Sequence, residues 1–314
     1  MKFFVIGGSG FIGSALIENI LSNSNDSVTV YDNLSSGQLK YIKNKKGKRL
    51  NFVKGNILNL KNLKKAMKGH SFVFHLAANS DIRLGSKNTR LDFNENTIGT
   101  LNVLDAMIAN KIKKIAFTST SAVFGTPTII PTPENYGPSL PESFYGASKL
   151  ACEGYISAYS SIFDLKAWIF SLANITGRPA THGIIYDFYK KIRINKKYLE
   201  VLGDGKQKKS YITNYMLADA MIKIIKKTNR LKQKIFLLNV GNNDDISVKE
   251  ITKLFLKLND SNTKMKFTGG EGGWKGDVSL MNLDIQKIKK LGWKPTKTSK
   301  ECIIESIKKN KPSE

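Results

Sequence analysis

Val5-Ile6-Gly7-Gly8-Ser9-Gly10-Phe11-Ile12-Gly13 is the stretch whose reading decides the fold. A short apolar run, Lys2–Ile6, predicts a buried strand. Glycines at 7, 10 and 13 then open a pattern that reads as a helix over Phe11–Ser22. Glycine at such a junction permits a tight turn, lets backbone approach a pyrophosphate, and allows the helix to pack closely on the strand. The amides at the helix start then face the phosphates. Asp32 closes the next apolar run, about 20 positions beyond the last glycine, where a ribose-binding acid is expected. A carboxylate there accepts from the adenosine ribose hydroxyls and repels a 2′-phosphate, so NAD is expected rather than NADP. A turn-forming glycine cluster with a capping Asp is the bland alternative. Strand, turn, helix and acid in order argue against it.

Outward from that junction the first half keeps a βαβ rhythm. Strands are expected at Ser27–Tyr31, Leu50–Lys54, Ser71–Leu76, Ile115–Ser119 and Lys166–Ser171. Helices are expected near Leu60–Lys68, Asn96–Ala109 and Glu142–Ser161. Continuous apolar strands such as Phe72-Val73-Phe74 suit a parallel sheet covered on both faces. The fold expected is α/β, a Rossmann-type doubly wound parallel sheet, with a smaller mixed α/β substrate-binding lobe toward the C-terminus. Its division is read as residues 1–177 for the dinucleotide-binding domain, with a returning segment near 232–260 that carries a strand at Ile235–Val240 and a helix at Val248–Leu258. Residues 178–231 and 261–314 form the lobe, which ends in a helix near Ser299–Lys309.

Two further clusters carry chemistry. Thr118-Ser119-Thr120-Ser121 follows an apolar strand, and Tyr145-Gly146-Ala147-Ser148-Lys149 opens a helical pattern. Tyr145 and Lys149, four apart, project from one helix face. An ammonium beside a phenol favours the phenolate, so Lys149 is expected to lower the proton affinity of Tyr145. Tyr145 is then the base for a substrate hydroxyl as its carbon gives up a hydride. Thr120 positions the same oxygen, although Ser119 or Ser121 satisfies that argument equally. In isolation the Tyr/Lys pair reads as a surface pair. Its place downstream of the glycine turn and the hydroxyl cluster reverses that weighting.

Composition sets the bounds. The formal net charge is +25, from 50 Lys and Arg against 25 Asp and Glu. The lysines are scattered in pairs without interleaved aromatics or a binding module, which predicts a solvated surface and no nucleic-acid partner. An anionic substrate still profits from the field. No apolar run reaches the roughly 20 residues of a membrane span. The apolar start stops at Gly7, too short for a signal peptide. Cys152 and Cys302 stand far apart, without metal-ligand spacing. A reduced, cytoplasmic setting and no metal are expected.

With these motifs in hand, the chain resembles an extended short-chain dehydrogenase/reductase, most like UDP-glucose 4-epimerases and related nucleotide-sugar epimerase/dehydratases. The likeness runs almost end to end. It takes in GGSGFIG at 7–13, DNLSSG at 32–37, HLAA at 75–78, NENTIGT at 94–100, TSTSAVFG at 118–125 and YGASK at 145–149. It continues through LANITGR at 172–178, THGIIYDF at 181–188, LGDGKQKKSYI at 202–212, GDV at 276–278 and LGWKP at 291–295.

The resemblance implies an NAD-dependent epimerase that oxidises a sugar transiently at carbon 4, with UDP-glucose and UDP-galactose the expected pair. For NAD it implies Gly7, Gly10, Phe11, Ile12, Gly13, Asp32, Asn33, Ser36, Gly37, Asn56, Ile57, Leu76, Ala77, Ala78, Asn96, Thr118, Tyr145 and Lys149. For catalysis it implies Tyr145, Lys149 and Thr120. For a nucleotide-diphosphate sugar, a UDP-hexose, it implies Thr120, Ser121, Asn174, His182, Lys209, Lys275 and Asp277. It also implies a homodimer through the helices at Asn96–Ala109 and Glu142–Ser161. The chain departs from the family at Ser171 and at Gly272-Gly273-Trp274, where relatives carry arginines. It departs again at Met216, where an Asp is usual, and at Phe124 in place of Tyr. Ser121-Ala122 stand where a 4,6-dehydratase carries Asp-Glu, which argues against dehydration. A decarboxylase, dehydrogenase or reductase of the same branch stays open, as does a non-catalytic NAD-binding protein; the intact Tyr145, Lys149 and Thr120 weigh against the last.

Overall fold

Seven parallel strands make the central sheet: β1 (Lys2–Ile6), β2 (Ser27–Asp32), β3 (Leu50–Lys54), β4 (Phe72–His75), β5 (Lys114–Thr118), β6 (Lys166–Leu172) and β7 (Ile235–Val240). Their order is β7-β6-β5-β4-β1-β2-β3. The computed structural model describes residues 1–311 except 44–46, 80, 86, 271–272 and 274–279. Lys275 and Asp277 therefore lie outside the described residues, as do Gly272 and Trp274.

The strands are apolar on both sides because both sides are covered. Along β1, Phe3 and Val5 belong to one buried cluster, while Phe4 and Ile6 belong to the other. That is the period-two alternation of a doubly wound sheet. Helices α1 (Phe11–Asn23) and α6 (Asn214–Thr228) cover the first face. Helices α2 (Leu60–Met67), α3 (Gly99–Ala109) and α4 (Phe144–Phe163) cover the second. Trp168 anchors the sheet's centre, its ring 5.6 Å from Phe72 and 5.8 Å from Phe236. Its indole N–H donates to Thr228 Oγ1 at 2.7 Å, so the one polar atom of that ring is satisfied in the core.

The rest of the chain builds around the carboxyl ends of β6 and β7. Helices α5 (Ile184–Ile194), α7 (Val248–Leu258) and α8 (Ser299–Asn310) pack through Phe188, Tyr189 and Phe255. Strand Asn174–Thr176 pairs in parallel with Tyr211–Thr213. Lys208–Lys209 pairs with both Ile246–Ser247 and Leu280–Met281. Helix α5 lies in the region 177–209, which reads from sequence as broken by Gly, Pro and loop residues, and α6 follows it without having been expected. Both are amphipathic, but Gly177, Pro179 and Gly183 ahead of α5 obscure the period. Among the described residues no helix is long and apolar enough to cross a membrane.

Strand order reverses between β1 and β4, each pairing with the other and then with neighbours on opposite sides. At such a switch point the connecting loops part and leave a crevice outside the carboxyl ends of the strands. Gly7, Leu76 and Thr118 all sit at that end.

Candidate active site at the switch point

The glycine turn is a backbone surface from which side chains are sterically excluded. Gly7 adopts φ +77°, and a Cβ there would meet the Ala77 amide nitrogen at 2.7 Å. A Cβ at Gly13 would lie 2.4 Å from the Gly7 carbonyl oxygen. Gly10 begins α1 without any side-chain cap, and the first helical turn holds no acidic residue. The α1 amides are thus left for an external acceptor, and the helix dipole favours an anion there. Gly37 closes the turn from outside: a Cβ there would meet the Ser9 carbonyl at 2.9 Å.

Asp32, at the end of β2, is buried; its carboxylate accepts the Ser9 amide at 2.9 Å and the Leu34 amide at 2.8 Å. Burial raises its proton affinity, and the two amides oppose that. Asn33, beside it, is exposed and accepts the Ser35 amide, while Ser36 leads into Gly37. Asn56 follows β3, its carbonyl receiving the Tyr31 hydroxyl at 3.1 Å. Ile57 is buried against Gly99, so its side chain serves the core while its carbonyl takes the Asn102 amide. Leu76, Ala77 and Ala78 leave β4 half-buried beside the turn. A cradle made of amides and glycines, flanked by one carboxylate, suits a dinucleotide pyrophosphate and ribose.

The catalytic helix starts where its sequence says it should. Ser143 caps α4, its hydroxyl accepting the Gly146 amide at 3.0 Å, which sets Tyr145 and Lys149 in the first two turns. Gly146 is required there, since a Cβ would fall 2.5 Å from the Ala122 carbonyl. That close approach brings α4 onto the turn after β5. Thr120 caps the short 3-10 turn Ser121–Phe124 and hydrogen-bonds the Tyr145 phenol. Thr118 is buried at the end of β5. The expected base and its expected helper are therefore hydrogen-bonded to each other.

The electrostatics differ from the sequence expectation. Burial pushes Tyr145 up to about 12; the Thr120 hydrogen bond opposes this, and the negative charge of Asp92 adds to it. Lys149 does not make this phenol acidic. Its ammonium lies 3.9 Å from the centre of the Phe117 ring, 2% exposed. There it acts on His75, Cys152 and Glu153 instead. Burial draws Lys149 itself down to about 8, with Cys152 and Glu153 pulling the other way. His75 is held neutral, down to about 3, by burial and by Lys149.

Asn96 lies in a π turn, Phe93–Ile98, ahead of α3. Its Oδ1 accepts the Asn79 amide at 2.8 Å, and its Nδ2 donates to Ser148 Oγ at 2.9 Å. Asn79, Asp92, Ser148 and Glu153 escaped the sequence reading. Ser148 was visible inside the YGASK motif. Asp92 sits between Leu91 and Phe93 in a stretch with no period to single it out.

On the other side, Asn174 donates its backbone amide to the Ser210 carbonyl at 3.3 Å, next in sequence to Lys209. These two expected residues are neighbours. His182 sets its ring edge against Phe11 at 5.8 Å, and Asn214 donates to the Phe11 carbonyl at 2.9 Å and the Arg178 carbonyl at 3.0 Å. The segment 178–182 therefore reaches over the start of α1. Ser121 opens the 3-10 turn beside Thr120. Ser171, one departure from the family, is wholly buried within β6, in register with Asn239.

Known proteins agree with this architecture. A family model described as the NAD-dependent epimerase/dehydratase family matches residues 3–241. A solved UDP-galactose 4-epimerase superposes with a TM-score of 0.89 at 32% identity, with 98% of each chain covered. The UDP-glucose 4-epimerase of Thermotoga maritima, solved with UDP-glucose, gives 0.85 at 26%, again covering 98% of both. The UDP-glucose 4-epimerase of Lacticaseibacillus casei is 29% identical over 326 residues, 98% of this chain and 95% of that one. The chain belongs to the NAD-dependent epimerase/dehydratase family, as an NAD-dependent enzyme of the nucleotide-sugar epimerase type.

Proposed function

We propose that the protein interconverts UDP-glucose and UDP-galactose by transient oxidation at sugar carbon 4. The observation that carries this reading is the half-buried Tyr145, whose phenol is hydrogen-bonded to Thr120 just beyond the carboxyl end of β5. Gly7 to Gly13 and the start of α1 would hold the pyrophosphate of NAD, Asp32 and Asn33 the adenosine ribose, and Lys149 the nicotinamide ribose. NAD held there would supply a hydride acceptor for carbon 4 and a donor for its opposite face.

Tyr145 receives the proton of the 4-hydroxyl and gives it back, while Thr120 fixes the hydroxyl oxygen between them. A phenol near 12 is a poor base at neutral pH, and a positive charge brought to the crevice by an oxidised nicotinamide would favour its ionisation. Asn174 and Lys209 are placed for the diphosphate, an anion that amide and ammonium donors suit. Holding it retains the 4-keto sugar while the ring turns, so remote binding serves retention. Tyr155, Ile162 and Phe163 leave an exposed apolar face on α4, which supports a homodimer paired through α3 and α4; sedimentation as a monomer would remove that part.

The test is to supply UDP-glucose and follow formation of the galactose isomer without net NADH. Stoichiometric NADH instead would make the protein a dehydrogenase.

A further inference from the structure

Asp92 is a buried carboxylate that the mechanism above does not use. It precedes the π turn and is 0% exposed. Its Oδ1 accepts the Asn79 side-chain amide at 2.8 Å and the Asn96 amide at 3.4 Å. Its Oδ2 is buried without a hydrogen-bond partner among the described residues, and a Cβ at Gly85 would come within 2.7 Å of it. A buried carboxylate with half its acceptors unsatisfied costs stability, so a neutral side chain of the same shape would serve packing better.

The two amides it holds lead to the site by separate routes. Asn79 is on the segment leaving β4, just past the expected cofactor-lining residues Leu76, Ala77 and Ala78. Asn96 donates to Ser148, whose hydroxyl donates in turn to the Tyr145 carbonyl at 2.8 Å. Asn96 thus links the β4 exit to the first turns of α4, and the Asp92 carboxylate braces that link by holding the side-chain amides of Asn79 and Asn96. We propose that Asp92 is a positioning residue that, through Asn79, Asn96 and Ser148, holds the first turn of α4 and with it Tyr145 in place, its own negative charge facing the phenol.

This rests on the reading of Tyr145 as the base. The groups that act on the phenol are Thr120, Asp92 and Cys152, while Lys149, Glu153 and neutral His75 form a neighbouring set around Cys152 and Lys149. Asp81 in turn raises the proton affinity of Asp92. Asp92 and Cys152 act on Tyr145 in the same direction, upward, and of these two Asp92 bonds both Asn79 and Asn96, the pair through which the β4 exit meets Ser148 of α4.

Asp92→Asn keeps an acceptor for Asn79 and Asn96 but removes the charge, whereas Asp92→Ala removes both. The base must be ionised, so activity rises with pH through the Tyr145 titration. Removing a nearby negative charge eases that ionisation and moves the rise to lower pH. The expected result for Asp92→Asn is NAD affinity near that of the parent, with the acid limb of kcat displaced downward by about 0.5 unit or more. Asp92→Ala should lose at least about tenfold in kcat, restored in large part by Asn. 13Cζ-tyrosine NMR, with the signal assigned through Tyr145→Phe, follows the same phenol without substrate. Its titration should begin at lower pH in Asp92→Asn even if no sugar nucleotide turns over, which separates failure of this inference from failure of the proposed function. An unmoved limb and an unmoved NMR onset would overturn the electrostatic role. Equal kcat in the Ala and Asn variants would overturn the positioning role. Should Asp92→Asn not fold, Asp92→Ser makes the same charge removal. Failure of both to fold would make Asp92 a fold residue and sink the proposal.

Discussion

The cofactor side and the sugar side of this crevice are built from different material. Around Gly7 to Gly13 the surface is backbone, fixed by contacts that leave no room for one carbon atom, and its single carboxylate is held by two amides. Around Asn174 and Lys209 the surface is side chain, carried by strands of two or three residues. Backbone cradles resist substitution and recognise what all dinucleotides share. Side chains on short strands can change without disturbing the fold, which is how one architecture serves many sugars.

The largest expected effect is on the chemistry that joins the two sides. Tyr145→Phe should cut kcat by about 10²- to 10⁴-fold while NAD titrates as before; undiminished turnover would remove Tyr145 as the base. Next comes the cradle. Gly13→Ala should abolish measurable NAD binding and lower Tm by several degrees, because its Cβ would meet backbone at 2.4 Å, with nothing flexible to give way. Normal NAD affinity in a folded Gly13→Ala protein would show the cradle to be softer than its geometry. Asp32→Ala should weaken NAD about 10- to 100-fold and narrow the preference over NADP, read by parallel titrations. The sugar side should respond more mildly. Lys209→Ala and Asn174→Ala should raise KM roughly three- to tenfold with kcat within about twofold; a fall in kcat alone would move these residues to the reacting end. Smallest is the field of the +25 chain: raising salt from 50 to 500 mM should lower kcat/KM for a UDP-sugar about two- to threefold.

The same contrast governs what the sequence made legible. Gly7, Gly10, Gly13 and Asp32 could be read because local backbone geometry requires those residue types at that spacing. All seven sheet strands agree with their expected limits within one residue at each end for the same reason, their alternation being local. The i, i+4 spacing puts Lys149 and Tyr145 on one face of α4, while Lys149 is not among the groups that act on the phenol in this structure. Side-chain spacing places an ammonium on a face but says nothing of the Phe117 ring that draws it aside. Asp92 and Asn79 were invisible because their pairing depends on tertiary contact between segments that carry no periodic signal. The residues at 275 and 277 lie outside the described chain, so their expected roles stand as proposals.

Asn214 deserves a last consequence. Its amide grips the carbonyls of Phe11 and Arg178 together, fastening the strap at 178–182 to the mouth of the dinucleotide groove. A redox carrier restored at the end of each cycle has no need to depart, and this clasp opposes its departure. Asn214→Ala should therefore shed NAD faster on gel filtration than the unaltered chain, turning a resident prosthetic group into an exchangeable one.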